Sequence, residues 1–149
     1  KRGWQKIGGK LMIVIDTSVV IDFLRRGQKE KTLLYLLAGQ QLFVSIITHA
    51  ELYAGKSVWE KQKAKNELDI LFAGLEIVPL TKNISTEAGR IRAKYGINLI
   101  DSIIAATALS KKAPLATFNT RHFSKIKGLD IIPKESNPHR PRIRKWEVS

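Results

Sequence analysis

The chain has no cysteine among its 149 residues, which excludes a disulfide framework and a thiolate zinc site. That absence suits a reducing cytoplasm, where we expect the protein to reside. No apolar run approaches the roughly 20 residues a membrane-spanning helix needs. The stretch from Leu11 to Ile15 is ended by Asp16 and is too short for a signal-peptide core, so no membrane role is expected. There is no His-x-x-x-His pair and no Gly-x-x-x-x-Gly-Lys-[Ser/Thr] loop, which argues against a histidine zinc centre and a P-loop nucleotidase. Acidic residues are scarce beside basic ones, 13 against 26, for a formal charge of +13. Residues 1–11 carry +4 and residues 133–149 carry +3, which leaves +6 on residues 12–132. A body that is basic in its own right favours a polyanion such as nucleic acid, although plain solubility also accounts for surface charge.

What is present is organised around MIVIDTSVVID, Met12 to Asp22. An unbroken apolar run closed by a polar cluster reads as a strand buried on both faces, as in a parallel sheet. Asp16 then stands where a central strand gives way to a helix, the edge at which open parallel sheets bind ligands. Helix capping by Asp16, Thr17 or Ser18 explains the same residues.

The arrangement recurs along the chain. A first helix is expected to about Arg26, and a Leu-rich second helix over Lys29 to Ala38, either core or a surface for a protein partner. Leu42 to Ile47 reads as a strand, followed by Thr48-His49-Ala50-Glu51, a capping-box pattern in which Glu51 would bond back to the Thr48 amide. A helix over Ser57 to Ala73, a strand over Leu75 to Leu80 and an amphipathic helix from Ile84 to Tyr95 come next. Arg90 and Lys94 share the outer side of the last, as a solvated face or as a phosphate-contacting ridge; Arg121 is a further candidate for RNA contact. The segment from Asn98 to Leu109 is apolar almost all round and should be a buried helix, with Asp101 at its tip as an N-cap or as a functional carboxylate. Pro114 to Phe118 makes a fourth strand, Asn119 follows it, and His122 is expected to face solvent. Leu129 to Ile132 is a last strand.

Strands alternating with helices imply an α/β fold with a parallel sheet and helices on both faces. Parallel strands share one carboxyl edge, so Asp16, Glu51, Asp101 and Asn119 can converge there. Clustered carboxylates raise one another's pKa unless a cation holds them. Hard oxygen ligands without thiolate point to Mg²⁺, or to Mn²⁺ as a substitute. Within a basic body, the chemistry these residues suit is metal-dependent hydrolysis of a nucleic-acid backbone.

Four stretches, MIVIDTSVVIDFLR, SIITHAELYAG, INLIDSIIAATALSKKAPLATFNTRHF and KIKGLDII, resemble the PIN-domain ribonucleases, and among them the VapC-type toxins of type II toxin–antitoxin systems. The resemblance samples residues 12–132 and implies a three-layer PIN-like fold with a small parallel β-sheet flanked by helices. It also implies Mg²⁺-dependent endoribonuclease activity, a neutralising VapB-type antitoxin and a homodimer. Carried over by position, Asp16 and Asp101 would be metal ligands, and Glu51 would hold a water on the metal or a second ion. Ser18 and Thr117 match hydroxyl positions that support the acidic cluster. Asn119 stands where many relatives have a fourth acid, which lowers the site's negative charge. Residues 1–11 and 133–149 match nothing in the family and are expected to be flexible or non-native tails, with the native start at Met12.

A non-catalytic RNA-binding PIN module is the alternative, favoured by the basic surplus and by Asn119. A phosphatase of the haloacid-dehalogenase type would want an acid at position 18, and the chain has Ser18.

Overall fold

The unbroken apolar run around Val14 becomes the middle of a sheet covered on both faces. The computed structural model describes residues 3–133. The strands are β1 (Lys6–Ile7), β2 (Lys10–Ile15), β3 (Gln41–Ser45), β4 (Glu76–Val78), β5 (Leu115–Ala116) and β6 (Ile131–Ile132). The path β4-β3-β2-β5-β6 is parallel throughout, and β1 adds an antiparallel turn onto β2. Val14 lies opposite Phe43 on one side and Leu115 on the other.

The helices are α1 (Thr17–Arg25), α2 (Leu33–Leu36), α3 (Ile46–Tyr53), α4 (Lys56–Glu60), α5 (Gln62–Ala73), α6 (Lys82–Tyr95), α7 (Leu99–Lys111) and α8 (Thr120–Phe123). Alternation along β2 and β3 sorts the core into two halves. Met12, Val14 and Phe43 pack with Ile84 and Ile91 of α6 and Ile104 of α7. Ile13, Ile15, Leu42 and Val44 pack with Val19 of α1, Leu34 of α2 and Leu68 of α5. This is the expected three-layer α/β architecture. Each fully buried Val or Ile contributes on the order of 2 kcal/mol, and a strand apolar on both faces gains about the same from either register. The strand end breaks that degeneracy, because sliding β2 inward would carry the Asp16 carboxylate between the layers, where it costs several kcal/mol.

Several element boundaries differ from those expected. Ile46 and Ile47 belong to α3 rather than to the preceding strand, because the Ser45 hydroxyl accepts from the Ile47 amide and starts the helix there. The Leu-rich segment is a single turn at Lys29–Lys31 followed by the short α2, with Leu33 and Leu34 buried but Tyr35 and Leu36 exposed. Thr32 divides the two, its extended backbone capping α2 through its hydroxyl. The helix expected over Ser57 to Ala73 is broken at Lys61, whose extended backbone separates α4 from α5. Residues 3–11, placed with an N-terminal tail, pair with the domain through β1, and the Trp4 indole N–H donates to Asp130 at 2.6 Å. Residues 1–2 and 134–149, with the basic cluster from Arg140 to Lys145 and Trp146, lie outside the described residues. Among the described residues no helix is long and apolar enough to cross a membrane.

Candidate active site at the carboxyl edge of the sheet

Asp16 ends β2 and precedes α1, so its side chain leaves the sheet at the carboxyl edge, 4% exposed. It makes no side-chain cap to α1, which disposes of the capping explanation for this residue. Instead its Oδ2 accepts hydrogen bonds from Ser18 Oγ and Thr117 Oγ1, both at 2.7 Å. Those hydroxyls also tie strands together: Ser18 Oγ accepts from the Phe118 amide at 3.1 Å and Thr117 Oγ1 from the Asn119 amide at 2.9 Å. The Ser18 contact thereby clamps the chain after β5 to the start of α1.

Burial pushes the Asp16 carboxyl above its ordinary value; the two hydroxyl donors pull it down, and the Asp101 charge pushes it up again. Among the described residues no lysine or arginine pairs with it. A desolvated carboxylate facing another carboxylate is stabilised by a cation.

Asp101 reaches the same edge from the first turn of α7. Asn98 is the N-cap rather than Asp101: its Oδ1 accepts from the Asp101 amide at 2.8 Å, and its Nδ2 donates to Asp101 Oδ2 at 3.0 Å. This reciprocal pair satisfies a free amide of the helix and fixes the carboxylate's direction. The spacing Asn-x-x-Asp was visible in the sequence and was the available signal.

Glu51 does not close a capping box with Thr48. The helix starts earlier, at Ile46, so Thr48 is interior to α3 and fully buried, and Glu51 faces α1. The Thr17 hydroxyl lies 2.7 Å from Glu51 Oε1 and 3.0 Å from Thr48 Oγ1. With one hydrogen to give, Thr17 donates to the carboxylate and accepts from Thr48. No sequence pattern links positions 17, 48 and 51, because the contact joins two helices.

Asn119 follows β5, and His122 comes one turn later in α8. His122 is half exposed, yet its Nδ1 stands 2.8 Å from Asn119 Nδ2 and 3.2 Å from Asp101 Oδ2, so it belongs to the site rather than only to solvent. A single ring nitrogen cannot accept from the amide and donate to the carboxylate at once. If Nδ1 carries the proton, it donates to Asp101 and Asn119 must offer its oxygen. Asp16, Glu51, Asp101, Asn119, Arg121 and His122 line one cleft of about 630 Å³. Arg90 and Lys94 are not among its lining residues; Arg90 is held by Glu87 at 2.6 Å, and the Lys94 ammonium lies 5.4 Å from the Tyr95 ring.

The donor set suits a hard divalent ion: oxygen ligands, no thiol, and a buried carboxylate without a cationic partner. Among the described residues no three His, Cys, Asp or Glu side chains stand close enough to hold an ion by themselves. An ion seated here would complete its shell with water or substrate oxygens, which is the ordinary habit of Mg²⁺.

The family model described as PIN domain matches residues 13–129. The chain is 34% identical over 119 residues to ribonuclease VapC19 of Mycobacterium tuberculosis, covering 75% of this chain and 92% of that protein. The fold superposes on VapBC2 from Rickettsia felis, solved bound to a DNA fragment from its promoter, with a TM-score of 0.69 and 24% identity over 81% of this chain and 97% of that one. A toxin–antitoxin complex from Klebsiella pneumoniae gives a TM-score of 0.64 and 27% identity, covering 78% and 94% respectively.

Proposed function

The chain belongs to the PIN-domain family, and from that membership we propose that it is a divalent-metal-dependent endoribonuclease, the toxin of a toxin–antitoxin pair. The observation that carries the proposal is the convergence of Asp16, Glu51 and Asp101 on one cleft. Similarity to a ribonuclease supports RNA as the substrate, and similarity to a toxin–antitoxin complex supports a VapB-type antitoxin as the partner. A homodimer and a cytoplasmic location are part of the same proposal, resting on the family resemblance and on the absence of cysteine.

Asp16 and Asp101 would hold Mg²⁺, or Mn²⁺ in its place, with Glu51 beside them. When bound, the ion polarises the phosphodiester and makes water a better nucleophile at neutral pH. The chain's own residues do the rest. Ser18 and Thr117 both donate to Asp16 Oδ2, which favours its ionised form against the effect of burial. Asn98 and His122 both approach Oδ2 of Asp101, and its Oδ1 has no hydrogen-bond partner among the described residues. Arg121 lines the cleft and would receive a phosphate, and the surplus of basic residues would draw the polyanion in. Hydrolysis adds water across one P–O bond, with a proton returned to the leaving oxygen.

Incubating the protein with single-stranded RNA and Mg²⁺ or Mn²⁺ tests the proposal. Cleavage should stop with EDTA and fall at least about a hundredfold in Asp101→Asn, by analogy with the loss of other electrostatic stabilisers. The alternative, an RNA-binding module without catalysis, is favoured by Asn119 in place of an acid. It predicts salt-sensitive RNA binding with no metal-dependent product.

A further inference from the structure

Helix α4 carries Trp59, which is 65% exposed but does not hang freely in solvent. Its indole N–H donates to the Tyr53 carbonyl at 2.7 Å, and its ring lies 6.2 Å from that of Tyr53. Tyr53 is itself held by the Asp69 carboxylate and by packing on His49 and Phe72. The turn at Ala54 and Gly55, between α3 and α4, brings the two residues together. The ring's one polar donor is therefore occupied internally, and what it offers to a partner is its π surface. Close to it in the chain are Lys56, Lys61 and Lys63, exposed and without ion-pair partners among the described residues, with Glu60 as the one acid between them. Lys65 lies 6.0 Å from the ring while paired with Asp69.

The helix that carries Trp59 also borders a route from the cleft, although Trp59 itself is not among the lining residues. A second groove, about 350 Å³, shares Ile21 and Glu51 with the cleft and runs to Gly55, Ser57 and Val58 at the start of α4. Arg25, exposed and without an ion-pair partner among the described residues, stands on its wall, opposed by Glu67. A pinned aromatic face among free ammonium groups is the combination that receives an unpaired base, with stacking for the base and charge for the phosphates.

We propose that Trp59 is a stacking platform for a base of the single-stranded RNA substrate, reached by the strand as it leaves the cleft along this groove. The proposal rests on the reading of the cleft as an RNA site and adds where the flanking nucleotides lie. A protein partner is the competing occupant; free lysines and an already-bonded indole N–H favour the polyanion.

The test uses the full chain with Trp4→Phe and Trp146→Phe, so that Trp59 is the one tryptophan, and with Ca²⁺ in place of Mg²⁺ so that a hard cation still bridges the acids and the phosphates without the octahedral geometry of Mg²⁺. Titration with a mixed-sequence single-stranded RNA of ten nucleotides should quench Trp59 saturably. In the otherwise unaltered chain, Trp59→Ala should weaken binding of that RNA about fivefold or more, and Trp59→Tyr should recover most of it. The salt slope should stay the same, because no phosphate contact is removed. A matching thermal melt shows that each variant is folded. Unchanged fluorescence, or equal RNA affinity in Trp59→Ala, overturns the platform. So does a Trp59→Ala variant that binds RNA normally but no longer binds the protein encoded beside it. If RNA quenches Trp59 but Mg²⁺ and Mn²⁺ yield no cleavage, the nuclease proposal fails while the platform stands. If cleavage proceeds and Trp59→Ala binds RNA normally, only the platform fails.

Discussion

Asp16 shows how a single carboxylate is made costly to the fold and useful to the site. Its side chain is buried, receives two hydroxyl hydrogen bonds on one oxygen and faces the Asp101 charge. Burial, with that charge, holds its pKa above 3.8, so the native state keeps this proton at a pH where the unfolded chain has lost it. Stability from this group is therefore greatest at low pH, falls as pH rises from about 3.8 through the folded pKa, and is flat above it. Asp16→Asn removes the buried charge while its amide oxygen can still accept from Ser18 and Thr117. The variant should melt higher than the parent at pH 7, with about 1 kcal/mol moving the midpoint of a domain this size by roughly 4 °C. The gain should vanish below pH 4, and RNA cleavage should be lost throughout. Paired thermal melts across pH check the stability half, and a gel assay the catalytic half. An Asn variant that melts lower at pH 7 would show that the carboxylate is already paired.

At the scale of elements, helix starts decide where the acids point. Asp101 is aimed by the cap of α7, Glu51 by a hydroxyl at the start of α1, and Asn119 and His122 by the short α8. Asn98→Ala should cost about 1 kcal/mol through loss of the N-cap. It should also lower cleavage by releasing one of the two groups that approach Asp101 Oδ2, whereas a cap with no role in the site would leave activity per folded molecule unchanged. Urea denaturation gives the first quantity, and initial rates normalised to folded protein the second. Asn98→Ser, which restores a cap without the donor to Asp101, should recover stability more fully than rate.

For the whole molecule, the decisive features are a net basic chain and a cleft lined by carboxylates. On the proposed function they would act on RNA in opposite ways: long-range attraction would bring it in, and the acids would repel its phosphates unless a cation lay between. Addition of Mn²⁺ or Mg²⁺ in millimolar amounts should therefore raise the melting temperature of the parent chain, because an ion that binds only the native state stabilises it by mass action. The shift should disappear in Asp16→Asn and Asp101→Asn. RNA affinity measured with the ion present should fall steeply with salt, the log–log slope counting phosphates contacted. A parent chain whose melt ignores both ions would remove the support for a metal centre.

The α/β class, the central β2 and the edge position of Asp16 were legible in the sequence, because burial on both faces leaves an unbroken apolar run and a polar residue must end it. Asp101 was legible for the same reason, as a lone charge on an otherwise apolar helix. The partners of these acids were not. Local patterns suggested that Thr48 caps for Glu51 and that Asp101 caps its own helix, and both are locally sensible. The structure gives Thr48 to the interior of α3, gives the cap of α7 to Asn98, and brings His122 to Asp101 from 21 positions away. Chain order carries what depends on near neighbours and on hydrophobic period. Hydrogen bonds such as Thr117 to Asp16, which span 101 residues, exist only once the sheet has brought β5 alongside β2. The composition of the site was thus set by sequence, and the direction of each carboxylate by packing between elements that no local pattern encodes.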